Sequence, residues 1–128
     1  MLACGNTVVV KPSHETPLST LRLGQLMQEA GIPDGVVNVV TGGGSAGARI
    51  AEHPRVGKVS FTGSTATGRK IAAASAASNT KHVSLELGGK NRVVVLEDAD
   101  IDAAVAGGLQ GALLNSGQVC AAHSRVYV

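Results

Sequence analysis

Short apolar runs rich in β-branched residues alternate along this chain with segments of helical periodicity, and glycine-rich turns separate the two kinds of segment. The first three runs cover residues 7–10, 36–40 and 56–61, and each is followed by a stretch with helical spacing. Because the runs are continuously apolar, they are typical of parallel strands that are covered on both faces. We therefore predict an α/β fold with a parallel, Rossmann-like sheet and flanking helices.

Further segments extend this pattern to the end of the chain. A predicted strand follows at residues 82–87, another apolar run covers 91–96, a last strand begins at 126, and helices are predicted at 17–30, 46–52, 63–77 and 98–114. Asp98, Asp100 and Asp102 lie where the dipole of the last helix favours negative charge. Sheets of this kind bind ligands at the carboxyl ends of their strands, where the loops of this chain are rich in glycine.

Composition excludes several classes of function. Only 16% of the 128 residues are charged, the net charge is +2, and the aromatic residues are one Phe and one Tyr, which argues against a nucleic-acid surface. No apolar stretch reaches the roughly 18 residues of a membrane span, and the start lacks the basic region of a secretory signal. Cys4 and Cys120 do not form a disulfide framework. We expect a cytoplasmic protein that binds no nucleic acid, membrane or metal.

Two glycine-rich loops are candidates for binding a phosphate group. Residues 42–47 fit G-x-G-x-x-G between a predicted strand and a predicted helix, but the acidic residue expected about 20 positions later is absent, which favours a structural turn. Residues 61–68 combine glycines, hydroxyls and free N–H groups at a predicted helix start. That second loop fits an anion site, and it fits equally a helix in which Ser64 or Thr65 is only the N-cap.

Glu86 lies between two leucines at the end of an apolar strand. Burial there should raise the pKa of its carboxyl, and a carboxylate with a raised pKa suits a general base that activates water. The alternatives are a Glu that faces solvent on an edge strand or one that pairs with Lys90. The segment is not a P-loop, because Ser84 and Asn91 replace residues which that motif requires.

Cys120 follows a small, polar turn and lies near a possible helix start, a setting that lowers the pKa of a thiol and exposes a nucleophile. The alternative is a buried, structural cysteine. His123 is three residues away, but no third member of a Cys-His protease site is evident, so that interpretation is disfavoured. We expect Cys4 to have a packing role.

Five segments, taken together, closely resemble the NAD(P)-dependent aldehyde dehydrogenase superfamily and occur in the family's order over essentially the whole chain. They are Val10-Lys11-Pro12-Ser13…Thr16-Pro17, Ala30-Gly31-Ile32-Pro33-Asp34-Gly35-Val36-Val37-Asn38-Val39-Val40, Phe61-Thr62-Gly63-Ser64, Leu85-Glu86-Leu87-Gly88-Gly89-Lys90 and Gly117-Gln118-Val119-Cys120. The separation of 34 residues between Glu86 and Cys120 is also similar to that of the family.

The resemblance implies an oxidation of an aldehyde to a carboxylic acid that depends on NAD(P). Cys120 matches the nucleophile, which would form a thiohemiacetal and then a thioester, and its backbone N–H would be half of an oxyanion hole. Glu86 matches the base that activates water to hydrolyse the thioester. The Rossmann motif places an acidic residue that binds the ribose about 20 positions after its glycines, and Glu86 has that sequence separation from Gly63. The family resemblance instead implies a catalytic role for Glu86.

The resemblance also implies cofactor-binding residues, with NAD as the cofactor and NADP as a possible replacement. They are Lys11, Ser13, His14, Gly42, Phe61, Thr62, Gly63, Ser64, Thr67, Gly68, Leu87 and Gly88. His14 occupies a position that is often Glu in members that prefer NAD, and Glu15 is its neighbour. This departure leaves the choice between NAD and NADP open.

Members of the family are several-fold longer, so the resemblance implies a fragment. Residues 1–90 match part of the NAD(P)-binding domain, and residues 91–128 match the start of a second α/β domain, the catalytic domain. We expect the isolated chain to be inactive and the parent enzyme to be a homo-oligomer that takes a small-molecule aldehyde. The alternatives are a non-catalytic dinucleotide-binding module and a relative that transfers the acyl group to coenzyme A, although the presence of Glu86 argues against the latter.

Overall fold

The computed structural model describes residues 1–128 and alternates strands with helices. The strands are β1 (Val8–Val10), β2 (Val37–Val39), β3 (Lys58–Thr62), β4 (His82–Glu86), β5 (Asn91–Val94) and β6 (His123–Tyr127). The helices are α1 (Leu18–Glu29), α2 (Gly44–Glu52), α3 (Thr65–Ala77) and α4 (Ile101–Leu113), with short 3₁₀ segments at Leu2–Cys4 and Leu114–Gly117. No helix has both the length and the apolar character that a bilayer crossing requires.

The strands pair in parallel, which confirms the predicted α/β class. Val8 lies opposite Val37 and Val10 opposite Val39 in the sheet of β1 and β2, and β5 pairs in parallel with β6 with a shift of register after Asn91. A third sheet joins β3 to β4. In this chain the strands form three two-stranded sheets, β1 with β2, β3 with β4 and β5 with β6.

The chain divides into two compact units. The first contains Met1–Val59 and Ile71–His82, and the second contains Ser60–Lys70 and Val83–Val128. The sheet of β1 and β2 therefore belongs to the first unit, and the sheet of β5 and β6 belongs to the second. The predicted domain boundary after residue 90 stays a prediction.

Most element boundaries differ from the predicted ones by one or two residues, and the starts of the last helix and the last strand differ by three. The last helix begins at Ile101 because the carboxylate of Asp100 caps it, accepting a hydrogen bond of 3.0 Å from the N–H of Ala103. Asp98 consequently lies before the helix. The last strand begins at His123, three residues earlier than predicted, because β5 provides hydrogen-bonding partners for its backbone from that residue onward.

The best-buried polar group of the first unit is Lys81, which is only 6% exposed. Its Nζ donates to the carbonyl of Ala51 at 2.7 Å, in the last turn of α2, and to the hydroxyl of Ser78 at 2.5 Å. Ser75, also 6% exposed, donates its hydroxyl to the carbonyl of Lys81 at 2.6 Å. A buried ammonium is tolerated here because it has hydrogen-bond acceptors and lies at the negative end of a helix dipole.

Apolar side chains are exposed on most elements. No large side chain is fully buried, and α4 exposes Ile101, Val105, Leu109 and Leu113 by 55–67%. These four residues are spaced by four, so they form one stripe along the helix. The expectation that both faces of the strands are covered is wrong for residues 1–128. The helices of this chain cover only part of each strand. Val9 in β1, for example, is 50% exposed.

We predict that Lys81→Met lowers the free energy of unfolding by about 1–3 kcal/mol, because it leaves the carbonyl of Ala51 and the hydroxyl of Ser78 without their donor. The control is Lys58→Met, which changes an exposed lysine of β3 and should change stability by less than about 0.5 kcal/mol. Urea unfolding followed by circular dichroism measures both. Equal midpoints for the two variants would show that the buried ammonium does not stabilise the first unit.

Candidate functional site

Cys120 follows a segment whose backbone is strained. Between α4 and the cysteine, Asn115, Ser116 and Gly117 have φ angles of 52°, 59° and 75°. The left-handed conformation costs a residue with a side chain roughly 1–2 kcal/mol. Two hydrogen bonds hold the segment, from the N–H of Gln118 to the carbonyl of Asn115 at 3.1 Å and from the amide of Asn115 to the carbonyl of Gln118 at 3.3 Å. Strain of this kind is typical of functional sites.

Cys120 itself lies in a turn, and its thiol is free and exposed. The N–H of Ala122 donates to the carbonyl of Val119 at 2.9 Å and closes the turn, which leads directly into β6. The expected helix start near Cys120 is therefore wrong, and the alternative of a buried, structural cysteine is wrong as well. Cys4 is also exposed, so the packing role expected for it is not observed.

Glu86 is the last residue of β4, and it is exposed. The burial that we expected for its carboxylate is absent, because the side chain stands at the end of a strand that has one hydrogen-bonded neighbour. No ion pair joins it to Lys90: the ion pairs of the structure link His14 with Glu15 and Arg22 with Glu29. The alternative of a Glu that faces solvent is the one that the structure favours.

Ser64 is the N-cap of α3. Its hydroxyl accepts a hydrogen bond from the N–H of Thr67 at 3.2 Å and donates to the hydroxyl of Thr67 at 2.9 Å. Capping satisfies one of the free N–H groups in the first turn of this 13-residue helix and leaves others. Those N–H groups and the helix dipole favour an anion at this end of α3, so the two interpretations of the loop are compatible.

Backbone contacts bring the loop before α3 together with the end of β4. The N–H of Gly63 donates to the carbonyl of Glu86 at 3.0 Å. Gly68, in the first turns of α3, lies so close to Leu87 that an added Cβ would be 2.7 Å from a methyl of that leucine. Leu87, which follows the candidate base Glu86, therefore packs directly on α3, the helix that follows the candidate phosphate loop.

Gly89 and Asn91, which follow Leu87 in the sequence, contact the turn that holds Cys120. A Cβ added to Gly89 would lie 3.1 Å from the carbonyl oxygen of Cys120, and the side-chain amide of Asn91 donates to that oxygen at 2.6 Å. Because Gly89 follows Glu86 by only three residues, their Cα atoms are at most about 10 Å apart. The second unit thus brings together, within one small region, the phosphate loop, the acidic residue and the nucleophile predicted from sequence.

A separate group of predicted residues assembles in the first unit, at the carboxyl ends of β1 and β2. The ammonium of Lys11 donates to the carbonyls of Pro12 at 2.6 Å and Gly42 at 3.1 Å, so it bridges the loops that follow the two strands. Gly42 has a φ of 151°, and a Cβ there would lie 2.9 Å from that of Ala46. A side chain at Gly42 is thereby excluded.

His14 and Glu15 extend this edge of the first unit. Their side chains form an ion pair of 2.9 Å and are 69% and 77% exposed. The hydroxyl of Ser13 accepts a hydrogen bond from the N–H of Glu15 at 3.3 Å, which shapes the turn between them. Both groups of candidate residues lie in loops after parallel strands, where α/β sheets bind ligands.

The contact of Asn91 with the carbonyl of Cys120 was not predicted from the sequence, where Asn91 served only to exclude a P-loop. No local signal identifies this residue, because its partner Cys120 is 29 residues away. His123 packs its ring against Gly111 of α4, and its Nδ1 is buried without a hydrogen-bond partner. That nitrogen does not bond to the thiol, which agrees with the disfavoured Cys-His interpretation. No group of three His, Cys, Asp or Glu side chains is placed to hold a metal ion.

Comparison with known proteins identifies related chains along the full length of the sequence. A family model described as the aldehyde dehydrogenase family matches residues 1–128. Aldehyde dehydrogenase family 2 member C4 from Arabidopsis thaliana is 59% identical over 128 residues, which are 99% of this chain and 26% of that protein. This chain therefore spans about a quarter of the length of the curated relatives that it matches.

Solved structures give the same result. PnpE from Pseudomonas sp. WBC-3 superposes with a TM-score of 0.90 at 59% identity, over 98% of this chain and 26% of that one, and PnpE was also crystallised in complex with nicotinamide adenine dinucleotide. An E. coli NADP-dependent enzyme superposes with a TM-score of 0.92 at 48% identity, over 99% of this chain and 26% of that one.

Proposed function

The chain belongs to the aldehyde dehydrogenase family, and from this premise we propose that it is part of an enzyme that oxidises a small-molecule aldehyde to a carboxylic acid with NAD or NADP. The observation that carries the proposal is the assembly in the second unit. There Glu86, the last residue of β4, accepts a backbone hydrogen bond from the loop before α3, and Gly89 and Asn91, a few residues later, contact the turn that holds Cys120.

Cys120 is the nucleophile of the proposed reaction. Its thiolate attacks the carbonyl carbon of the aldehyde and forms a C–S bond, and the carbonyl oxygen becomes the oxyanion of a thiohemiacetal. The N–H of Cys120 supplies one hydrogen bond to that oxygen. Loss of hydride from the same carbon converts the thiohemiacetal to a thioester, and the nicotinamide ring, when bound, accepts that hydride. The exposure of the thiol supports this role, because the sulfur is accessible to a substrate.

Glu86 is the general base of the second step. Its carboxylate takes a proton from water, the resulting hydroxide attacks the thioester carbon, and the C–S bond breaks to release the carboxylic acid and the Cys120 thiolate. The position of Glu86 supports this role, since a solvent-facing carboxylate at the end of β4 has access to water. An acceptor such as coenzyme A would not need this base, which argues against the acyl-transferring alternative.

The residues present fit a dinucleotide at two places. The capped N-terminus of α3 offers N–H groups to a pyrophosphate, and the residues on this side are Phe61, Thr62, Gly63, Ser64, Thr67, Gly68, Leu87 and Gly88. The residues proposed for the adenosine side are Lys11, Ser13, His14 and Gly42. His14 occupies the position that is often Glu in members that prefer NAD, and Glu15 is its neighbour, so both NAD and NADP stay in the proposal.

The exposed apolar surface supports a longer parent enzyme. Globular proteins rarely leave a stripe such as that of α4 uncovered, and the relatives are about four times longer than this chain. We propose that residues 1–90 are part of an NAD(P)-binding domain and residues 91–128 begin the catalytic domain of a cytoplasmic homo-oligomer.

The 128 residues alone should turn over aldehyde far below about 1 per second, an ordinary enzyme rate. Turnover at that rate by the purified chain would refute the fragment proposal.

We predict that Cys120→Ala, made in the complete polypeptide that carries this sequence, lowers the rate of aldehyde oxidation by at least about a thousandfold, because no other group can form the thioester. Cys4→Ala is the matched control and should retain the wild-type rate. NAD(P)H formation at 340 nm measures both. A Cys120→Ala variant that retains ordinary turnover would rule out the covalent mechanism.

We predict that Glu86→Gln leaves the first step intact and slows hydrolysis of the thioester by roughly 10²–10⁴-fold, the usual contribution of a general base. Rapid mixing should show a burst of about one NAD(P)H per site followed by a slow steady rate. Glu97→Gln, which changes an exposed glutamate after β5, is the control and should show no such burst. Wild-type product release by Glu86→Gln would instead favour the coenzyme A alternative.

A further inference from the structure

The turn that holds Cys120 has an anchored side and a strained side. After the cysteine, the chain enters β6 and its hydrogen bonds with β5. Before the cysteine, the chain passes through three left-handed residues, 115–117, a conformation that Gly117 adopts freely and that is unfavourable for Asn115 and Ser116. The turn therefore needs a further contact to keep a fixed distance from the segment that carries Glu86.

Asn91 provides that contact. Its Nδ2 donates to the carbonyl oxygen of Cys120 at 2.6 Å, and this side-chain hydrogen bond joins the turn to the first residue of β5, which follows shortly after Glu86. A hydrogen bond to the backbone of the nucleophile acts on the position of its Cα, and hence on where its sulfur and its N–H lie.

Asn91 is itself held at both ends. Its backbone pairs with His123 at the start of the ladder between β5 and β6, and its carbonyl accepts a hydrogen bond from the hydroxyl of Ser124 at 3.1 Å. The side chain is half-buried, which limits its alternative rotamers. The amide is thus oriented before any substrate arrives, which is the condition for an efficient positioning group.

Gly89 leaves room for this hydrogen bond. A Cβ at that position would lie 3.1 Å from the carbonyl oxygen of Cys120 and 3.2 Å from Nδ2 of Asn91, closer than the 3.4–4 Å of ordinary contacts. Any side chain at residue 89 would therefore press on both the donor and the acceptor. The absence of a side chain at Gly89 and the amide of Asn91 serve the same interaction.

We propose that Asn91 is a positioning residue for the reaction: it fixes the Cys120 turn against the segment that carries Glu86, and so sets the separation of nucleophile and base. The inference rests on the proposed function. The hydrogen bonds of Asn91 go to Cys120, to Ser124 and along the ladder with β6, so its loss should affect the chemical steps and leave binding of the dinucleotide unchanged.

The decisive variant is Asn91→Asp, made in the complete polypeptide that carries this sequence. Aspartate keeps the size and shape of asparagine, but at neutral pH its side chain has no N–H or O–H to donate. A carboxylate oxygen then faces the carbonyl oxygen of Cys120, and the hydrogen bond is replaced by repulsion. We expect kcat to fall about tenfold, in line with the large effects of small displacements on reacting groups, while the KM for the dinucleotide stays within about twofold. Asn91→Ala should give the same split between kcat and KM.

Asn6→Ala is the matched control, because the exposed Asn6 also donates from Nδ2 to a backbone carbonyl, that of Met1 at 3.1 Å. It should leave kcat within about twofold of the wild type, a change too small to reflect a lost catalytic contact. Gly89→Ala should reproduce the fall in kcat with an intact amide, and it provides the test if Asn91→Ala proves less stable in thermal unfolding.

The outcomes separate this inference from the proposed function. A wild-type protein that neither oxidises aldehydes nor reacts with iodoacetamide at Cys120 in preference to Cys4 would defeat the proposed function. An active wild-type protein whose Asn91→Asp variant keeps its kcat would defeat only the role of Asn91. A rise in the KM for the dinucleotide at unchanged kcat would equally overturn that role, since it would place Asn91 in binding.

Discussion

The candidate site depends on two contacts made by the segment 86–91, which runs from the end of β4 to the start of β5. On one side its backbone accepts a hydrogen bond from the loop before α3, and Leu87 packs on the first turns of that helix. On the other side Gly89 and Asn91 approach the carbonyl of Cys120. Residues far apart in the sequence thereby share one region, and Glu86 lies in the segment that contacts both the loop before α3 and the Cys120 turn. If either contact were lost, the acid and the thiol would no longer share a defined geometry.

Both units use polar groups at element ends to fix their loops. In the first unit the buried ammonium of Lys81 is bound to the last turn of α2, and Lys11 bridges the loops after β1 and β2 through two carbonyls. In the second unit Ser64 caps α3 and Asp100 caps α4. With so few large side chains buried, hydrogen bonds of this kind specify the loop conformations more than apolar packing does. The ligand-facing edges of the sheets are therefore ordered by the residues of the chain itself.

The exposed apolar surface contributes little to the stability of this chain. A helix such as α4, with Ile, Val and Leu on an exposed stripe, gains little from burial in this chain. The same stripe would contribute substantially once covered by further polypeptide, which is the arrangement proposed for the parent enzyme. The local geometry of the site and the stability of the whole thus have different sources. The first lies in contacts within residues 60–128, and the second, in the proposed parent enzyme, would lie in surfaces such as the stripe of α4.

The sequence by itself determined the α/β class and the order of the elements, because β-branched runs, helical periodicity and glycine turns are local properties of the chain. The family followed from the resemblance of five short segments to the aldehyde dehydrogenases. Glu86 and Cys120 were also singled out in this way, through their neighbours in sequence. Only the tertiary structure decided that Glu86 faces solvent, that Cys120 precedes a strand instead of a helix, and that Asn91 contacts the backbone of Cys120. Exposure depends on how many neighbouring strands a strand acquires, and a hydrogen bond across 29 residues depends on the pairing of β5 with β6. Neither quantity is encoded in a window of local sequence, since both arise only when distant segments pack.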